Sequence, residues 1–221
     1  MNNMPNFRIK FQTLEFSHID IHFKTLRSNQ EFADPEGVAA SLGISSAQWP
    51  LFGVVWESSQ VLAHLMDDLD TGKKRILEVG CGIGLSSLLL NARGAAITAT
   101  DYHPEVGEFL IGNAALNEGR KIPYLRTSWD NQNTGLGQFD LIIGSDLLYE
   151  KEHVELLSQF IHRHAKLQCE VILVDPGRGF HAKFSKAMIL LGYSHKQSHV
   201  KAENYLSENY SGQILRYAKP A

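Results

Sequence analysis

The sequence is short of the residues that would place a protein outside the cytoplasm or inside a membrane. Two cysteines, Cys81 and Cys169, are too few for a disulfide framework. No run reaches the about 18 apolar residues that a membrane-spanning helix needs, and the first ten residues lack the apolar core of a signal peptide. We therefore expect a cytoplasmic protein with no membrane partner.

The sequence also lacks a surplus of positive charge and a metal-binding pattern. Its 21 Lys and Arg residues are set against 24 Asp and Glu residues, which gives a formal net charge of -3 and a pI of about 6.4. Because nucleic-acid-binding domains usually carry excess basic residues, we expect no nucleic-acid partner. Five histidines have no cysteine or carboxylate partners at metal-ligand spacing, namely His162, His164, His181, His195 and His199, and we predict no metal site.

What is present suits one large α/β domain preceded by a short extension. With 43% hydrophobic and 20% charged residues, a chain of 221 residues is long enough for a sizeable core. We predict an extension over residues 1–48 and the main domain over residues 49–221. Within the extension, residues 7–11 and 19–24 alternate apolar and polar side chains, which predicts a β-hairpin.

Other polar residues of the extension have plain structural interpretations. His18 and His22 are four residues apart, but the alternation puts both on the polar face of a strand, so we expect solvated side chains. Asp34 is predicted to cap a short helix that has Pro35 at its first position and ends at Gly43. We expect this helix to form a lid or platform over a ligand.

The most informative stretch is RILEVGCGIG at residues 75–84, together with Asp101. A short apolar run leads into a Gly-x-Gly-x-Gly turn, and residues 85–90 continue as an apolar helical pattern. Glycine allows a sharp bend and a close approach to a ligand, which then faces the N–H groups of the helix. A second strand, residues 96–100, ends about 20 residues after the first glycine, where Asp101 can bind ribose hydroxyls. The two features together predict a nucleoside site.

The spacing of the glycines separates two kinds of nucleoside site. The dinucleotide fingerprint G-x-G-x-x-G needs its third glycine one residue later, where this sequence has Leu85, so a pyrophosphate is disfavoured. Residues 78–84 instead resemble the first motif of the class I, seven-strand S-adenosylmethionine (SAM) methyltransferases. The resemblance implies that the turn cradles the methionine part of the cofactor and that Asp101 binds its ribose. The cofactor-binding residues implied here are Glu78, Gly80, Cys81, Gly82, Gly84, Asp101 and Tyr102.

The same resemblance implies the fold. We expect an α/β, Rossmann-like sheet of seven strands with helices on both faces, following the N-terminal β-hairpin and helical extension. The tail, residues 193–219, is expected to form the antiparallel hairpin that closes the sheet. Beyond the first two strands, apolar runs predict further parallel strands at residues 122–130, 139–145 and 170–174.

Two tryptophans and two asparagines have both a structural and a functional interpretation. Trp56, which precedes a predicted amphipathic helix, is either a core aromatic or a cofactor contact. The second is implied because Gly-x-x-Trp resembles the methyltransferase-like protein-lysine methyltransferases. Trp129 follows Ser128 at the end of a strand, and the resemblance favours its stacking on adenine. Asn113 and Asn117 share a helix face, where the resembled family also has asparagines, although surface asparagines show the same pattern.

The strongest local match lies at the end of the strand at residues 139–145. Its apolar run ends in polar residues, as expected for a buried parallel strand that opens on a ligand crevice. Asp146 alone also fits a helix cap. However, the Asp-x-x-Tyr formed by Asp146 and Tyr149 resembles the signature of that lysine methyltransferase family, which implies catalytic roles for both and a cofactor contact at Ser145. Arg178, in a later Asp-Pro-Gly-Arg turn, is expected to contact an anionic group, steady the crevice rim or face solvent.

Three functions follow from these residues. The resemblance implies a SAM-dependent N-methyltransferase that acts on a protein lysine by direct transfer to a neutral amine. The alternatives are a small-molecule N-methyltransferase with an amine or nicotinamide-like substrate, and a non-catalytic SAM-binding protein. We expect a monomer in each case.

Overall fold

The predicted N-terminal hairpin is confirmed. Strand β1 (Ile9–Glu15) pairs antiparallel with strand β2 (Asp20–Leu26). His22 is exposed on β2, as the alternation predicts, and His18 is exposed as well, but it lies in the turn between the two strands, so its placement on a strand is wrong. The computed structural model describes residues 7–201, 205–206 and 210–220.

The short helix of the extension starts later than predicted. Helix α1 (Val38–Ser41) begins three residues beyond Pro35, so the placement of this proline at the first helical position is wrong. The reason is the left-handed Gly37 (φ 67°), which redirects the chain just before the helix. Gly37 occupies the cap position, but the carboxylate of Asp34 still accepts hydrogen bonds from the backbone N–H groups of Ala39 and Ala40 in the first turn, as a capping side chain does.

The predicted α/β sheet of seven strands is confirmed in the described part of the chain. Its spatial order is β5-β4-β3-β6-β7-β9-β8. Strands β3 to β7 run parallel, and β9 is antiparallel to both of its neighbours, which confirms the closing hairpin. The strands are β3 (Arg75–Val79), β4 (Ala96–Asp101), β5 (Tyr124–Arg126), β6 (Phe139–Ser145), β7 (Ala165–Asp175), β8 (Ser194–His199) and β9 (Gln213–Lys219).

Helices cover both faces of this sheet because successive strand residues point to opposite sides. Ile76 of β3 lies in one hydrophobic core, which α2, α3, α4 and the N-terminal hairpin complete. Leu77, the next residue, lies in a second core, which α5 and α6 complete. The helices are α2 (Glu57–Asp68), α3 (Leu85–Ala92), α4 (Val106–Leu116), α5 (His153–His164) and α6 (His181–Leu190), with a 3-10 helix at Trp49–Gly53 before α2.

Two strands differ in length from the prediction. Strand β5 has three residues, whereas the apolar pattern predicts residues 122–130. It ends at Arg126 because its partner β4 ends at Asp101, directly opposite. Strand β7 starts at Ala165, five residues before the predicted start, because its first part finds partners in β6 and β9.

The N-terminal extension packs into the first core. Phe23 and Leu26 of β2 are fully or almost fully buried and belong to the same cluster as Leu89 and Phe109. The division of the chain after residue 48 stays a prediction. Among the described residues, no helix is both long enough and apolar enough to span a lipid bilayer.

Candidate active site

The two main predicted site motifs lie at the carboxyl ends of a run of four neighbouring parallel strands. In the order β4, β3, β6 and β7, these ends carry Asp101, the turn at residues 80–84, Asp146 and Asp175. Ligands of open α/β sheets bind in the crevice outside such ends. The structure therefore brings the two predicted motifs to one edge of the sheet.

The turn between β3 and α3 has the geometry that glycine provides. Gly82 and Gly84 have φ angles of 54° and 78°, in the left-handed region. A Cβ atom on Gly84 would lie 2.4 Å from Leu110 Cδ1, and one on Gly82 would lie 3.0 Å from the carbonyl oxygen of Phe52. The chain thus leaves no room for side chains on the protein side of this turn.

Asp101 ties the turn to the end of β4. Its Oδ2 accepts a hydrogen bond from Gly82 N at 2.9 Å, and its Oδ1 accepts one from His103 N at 2.9 Å. Burial raises the pKa of this carboxyl, and the backbone hydrogen bonds partly offset the rise. Because each carboxylate oxygen has two lone pairs, both oxygens can still accept hydrogen bonds from ribose hydroxyls. Tyr102 is exposed beside it and donates to Leu42 O at 2.8 Å, which places the α1 segment next to the crevice.

Glu78 and Cys81 connect the turn to the neighbouring helix α3 and strand β4. The buried carboxylate of Glu78 accepts hydrogen bonds from the backbone N–H of Ser87, at 2.9 Å, and from the Ser87 hydroxyl. Burial raises the pKa of Glu78 to about 7. Cys81 is buried as well, and its backbone N–H donates to Thr100 O at 3.0 Å. Direct contacts of Glu78 and Cys81 with a cofactor stay predictions, whereas their contacts with α3 and β4 are present.

Trp56 is not a core aromatic. It is 36% exposed at the residue before α2, and its indole N–H donates to Leu51 O at 3.0 Å. Trp129 is half-buried with its ring edge-on to His153, at a centroid distance of 5.0 Å, and Ser128 before it bonds the side chain of Asp130. Cofactor contacts by Trp56, Ser128 and Trp129 stay predictions.

Asp146 lies at the tip of β6 in an unusual backbone conformation. Its φ angle is 53°, which non-glycine residues rarely adopt, and its N–H donates to Val174 O at 2.9 Å. Helix α5 begins only at His153, with Glu152 at the cap position, so the interpretation of Asp146 as a helix cap is wrong. Ser145 precedes it, half-buried, opposite Val174 in the adjacent strand.

Arg178 forms an ion pair with Asp146, a contact that no pattern in the sequence predicted. Its Nε donates to Asp146 Oδ1 at 2.6 Å and its Nη2 donates to Asp146 Oδ2 at 2.8 Å, a two-pronged ion pair. This bond raises the pKa of the guanidinium, so Arg178 stays charged. The ion pair fits the predicted role at the crevice rim, and a contact of Arg178 with an anionic substrate group stays a prediction. The signal in the sequence was the Asp-Pro-Gly-Arg turn directly after the strand that neighbours β6.

Tyr149 forms the outer wall of the same corner. The residue is 49% exposed, and its ring packs edge-on against His153 at a centroid distance of 4.4 Å. Burial of part of the side chain and the nearby carboxylates Asp101, Glu150 and Asp146 raise its pKa to about 12. The phenol is therefore neutral and able to donate a hydrogen bond. Since Trp129 touches the same histidine, the structure brings Tyr149 and Trp129 together.

The two predicted asparagines hold the hairpin instead of facing the crevice. Asn113 pairs with the backbone N–H and C=O of Lys24, and Asn117 pairs with those of His22. Asn113 also donates to Ile83 O, in the glycine turn, at 3.3 Å. In the described residues, no group of three or more His, Cys, Asp or Glu side chains is placed to hold a metal ion.

Comparison with known proteins adds the family. A family model described as lysine methyltransferase matches residues 46–188, more than half of the chain. The chain belongs to the lysine methyltransferase family. The matched region contains the glycine turn, Asp101, Asp146 and Arg178, so the crevice lies within the part that defines the family.

Two relatives and one solved structure illustrate the similarity. The electron transfer flavoprotein beta subunit lysine methyltransferase of Xenopus laevis is 27% identical over 165 residues, which cover 73% of this chain and 65% of that protein. The protein N-lysine methyltransferase METTL21A of Danio rerio is 31% identical over 140 residues, which cover 58% of this chain and 63% of that protein. The chain thus spans less than two thirds of either relative.

The solved structure is the magnesium protoporphyrin IX methyltransferase of Synechocystis PCC 6803 with bound SAM. It superimposes with a TM-score of 0.57 at 20% identity, over 73% of this chain and 77% of that chain. At this level of identity the likeness shows the fold. The chain therefore has the class I methyltransferase fold, with the seven-strand sheet described above.

Proposed function

We propose that this protein is a SAM-dependent N-methyltransferase that methylates a lysine side chain of a protein substrate. The observation that carries the proposal is the direct contact between the two motifs. Leu147, inside the Asp-x-x-Tyr segment, packs so closely on the glycine turn that a Cβ atom on Gly80 would lie 2.5 Å from Leu147 Cδ2. Residues suited to present an amine thus sit on the turn suited to hold the cofactor.

The residues of the crevice fit S-adenosylmethionine. The glycine turn has no side chain at residues 80, 82 and 84, and Asp101 keeps acceptor lone pairs for two ribose hydroxyls at the end of the adjacent strand. When bound, the cofactor supplies a methyl group: the amine lone pair forms the C–N bond, the S–CH₃ electron pair stays on sulfur, and the product ammonium releases its proton to water. Gly80, Gly82 and Gly84 would hold the methionine part.

Asp146 and Tyr149 would orient the incoming amine. The carboxylate of Asp146 has lone pairs left beside those that Arg178 occupies, and they can accept N–H hydrogens and direct the nitrogen lone pair. The neutral phenol of Tyr149 can form the opposite wall. Positioning of this kind can contribute on the order of 7 to 11 kcal/mol relative to free encounter, so no formal base in the protein is needed.

A protein substrate is supported by the exposure of the corner and by the relatives. Tyr149 is 49% exposed, and the Arg178 side chain is 44% exposed, so a lysine carried on another protein can reach Asp146 from solvent. The two relatives described above are named for lysine methylation of proteins. We further propose a cytoplasmic monomer without nucleic-acid or membrane partners. The excess of acidic over basic residues argues against a nucleic-acid partner, and the two free, buried cysteines fit the cytoplasm.

The test is methyl transfer from labelled SAM to a cell extract, followed by separation of macromolecules from small molecules. We expect label in protein, recovered as methyllysine after hydrolysis. Asp146→Ala should abolish transfer and leave SAM affinity within a few fold, whereas Asp101→Ala should weaken SAM binding. Asp68→Ala, which removes an exposed carboxylate at the end of α2, is the matched control and should retain activity.

Each other outcome contradicts part of the proposal. Label confined to the small-molecule fraction would contradict a protein substrate and favour a small amine. SAM binding without any transfer would contradict catalysis. Loss of SAM affinity in both Asp101→Ala and Asp146→Ala would contradict the division of roles between these two carboxylates.

A further inference from the structure

The pairing of Arg178 with Asp146 raises a chemical question about the amine site. An ionised carboxylate next to a lysine amine favours the protonated, charged form of that amine. Lysine has a reference pKa of about 10.4, and its ammonium form has no lone pair to accept a methyl group. A bare Asp146 carboxylate would therefore bind the substrate in the unreactive state.

We propose that Arg178 is a positioning residue that neutralises Asp146, so that the bound lysine can lose its proton before methyl transfer. The inference rests on the proposed function, whose amine site it refines. The proton of the lysine ammonium passes to water, and the nitrogen keeps the electron pair of the broken N–H bond. Arg178 acts through Asp146 and does not itself have to touch the amine.

The geometry of the ion pair supports this role. Both prongs of the guanidinium are engaged, at 2.6 Å and 2.8 Å, in a fork that matches a carboxylate. The Asp146 side chain is only 11% exposed, so its charge is poorly screened by solvent without Arg178. The pair as a whole is neutral but leaves one lone pair on each carboxylate oxygen for the substrate.

The turn that carries Arg178 is anchored so that the guanidinium meets this carboxylate. Asp175 ends β7, next to β6, and its Oδ1 accepts a hydrogen bond from Gly177 N at 2.8 Å. Gly177 and Gly179 both have left-handed φ angles, of 89° and 92°, on either side of Arg178. These two glycines allow the chain to reverse and return the side chain toward the tip of β6.

The other titratable groups around the pair do not supply the positive charge with which Arg178 neutralises Asp146. Arg178 is the cation placed on Asp146, whereas most of the surrounding titratable groups are acids or neutral phenols. Burial raises the pKa of Asp175, and its Oδ1 lies 3.8 Å from His181 Nδ1. Among the residues that the structure describes, the titratable and charged groups that act on the corner from neighbouring elements are Glu57, Asp101, Tyr149, Glu150, His153, Asp175, His181 and Tyr210.

The first test is the pH profile of methyl transfer with labelled SAM, from pH 7 to 9.5. A dilution series of the cell extract gives the relative KM and kcat. In Arg178→Gln we expect the pH at which kcat rises to be higher than in wild type by about one pH unit or more. At pH 7.5, kcat should fall about tenfold or more. The relative KM should not rise, because the ammonium binds better to the bare carboxylate. At pH 9.5 the variant should approach wild type.

Two matched variants separate charge from structure. Arg178→Lys keeps the positive charge and should retain a profile close to wild type. Arg120→Gln removes a positive charge from an exposed residue after α4 and should leave the profile unchanged. A merely structural role for Arg178 predicts an equal loss at every pH in Arg178→Gln, and that result would overturn the inference.

The second test needs no substrate protein. Protein loaded with S-adenosylhomocysteine is titrated with n-butylammonium at pH 7.5, and binding is followed by NMR. Arg178→Gln should bind the cation about tenfold or more tightly than wild type, and the gain should vanish in Arg178→Gln/Asp146→Asn. Equal or weaker binding by Arg178→Gln would refute the inference, whereas a wild type that methylates no protein would refute only the proposed function.

Discussion

Asn113 offers the sharpest test of how the N-terminal hairpin is held on the main domain. In an antiparallel pair, alternate residues of a strand point their N–H and C=O groups away from the partner strand. On β2 two such residues are His22 and Lys24, which bond the side-chain amides of Asn117 and Asn113. Two strand residues span about 6.7 Å and four helix residues about 6 Å, so α4 matches the edge of β2.

The two asparagines should differ in their contribution to stability. Asn113 is fully buried and makes three hydrogen bonds to Lys24 and Ile83, at 2.8, 3.2 and 3.3 Å. At a net value of about 1 kcal/mol for each bond, Asn113→Ala should cost about 3 kcal/mol. The side chain of Asn117 also makes three hydrogen bonds, two with the backbone of His22 and one to Asn113 O. His22 is exposed, so water can replace the amide there, and Asn117→Ala should cost about 1 kcal/mol.

The assay is thermal and urea unfolding of wild type and the two variants. For a chain of this size, the costs correspond to melting temperatures lower by about 9 °C and about 3 °C. Asn113→Asp is the informative third variant, because it keeps the acceptor for Lys24 N but turns an oxygen toward two carbonyls. It should be less stable than Asn113→Ala. Equal costs at both asparagines, or a tolerated Asn113→Asp, would refute the reasoning.

Two further stability predictions concern the glycine turn and the strand that leads into it. Because burial raises the pKa of Glu78 from 4.5 to about 7, its contribution to stability is complete below pH 4.5 and is lost as the pH rises through 7. The loss is about 3 kcal/mol, and Glu78→Gln should remove this dependence in urea unfolding between pH 5 and 8. Gly84→Ala should cost more than Gly94→Ala, because the φ angles are 78° and 77° but only Gly84 would place its Cβ against Leu110. Equal melting temperatures of the two alanine variants would contradict that contact.

The local patterns predicted most of the sheet and the edge of it at which the candidate site residues meet. The glycine turn and Asp101 are specified by neighbouring residues, because a tight turn and a strand end depend on a few consecutive side chains. Element ends were less predictable. Strand β5 ends where its partner strand ends, and helix α1 begins only after the left-handed Gly37. The spacing of the hydrophobic residues indicates neither of these boundaries.

Contacts between distant segments were the part that the sequence did not specify. Asn113 bonds a residue 89 positions away, and Arg178 bonds one 32 positions away. An asparagine on a helix and an arginine in a turn are common on protein surfaces, so residue type alone could not choose their partners. The partner of each residue depends on which strands are neighbours, and the structure shows the spatial order β4-β3-β6-β7.

The partners of the two carboxylates fit the different roles that we propose for them. Asp101 and Asp146 are the same residue type at the ends of parallel strands in one sheet. Asp101 accepts backbone N–H groups, which fix its position without cancelling its charge, as suits an acceptor of ribose hydroxyls. Asp146 accepts a guanidinium, which cancels the charge but leaves acceptor lone pairs, as suits an amine that must arrive as a cation and react as a base. Exchange of these partners would therefore weaken both of the proposed functions.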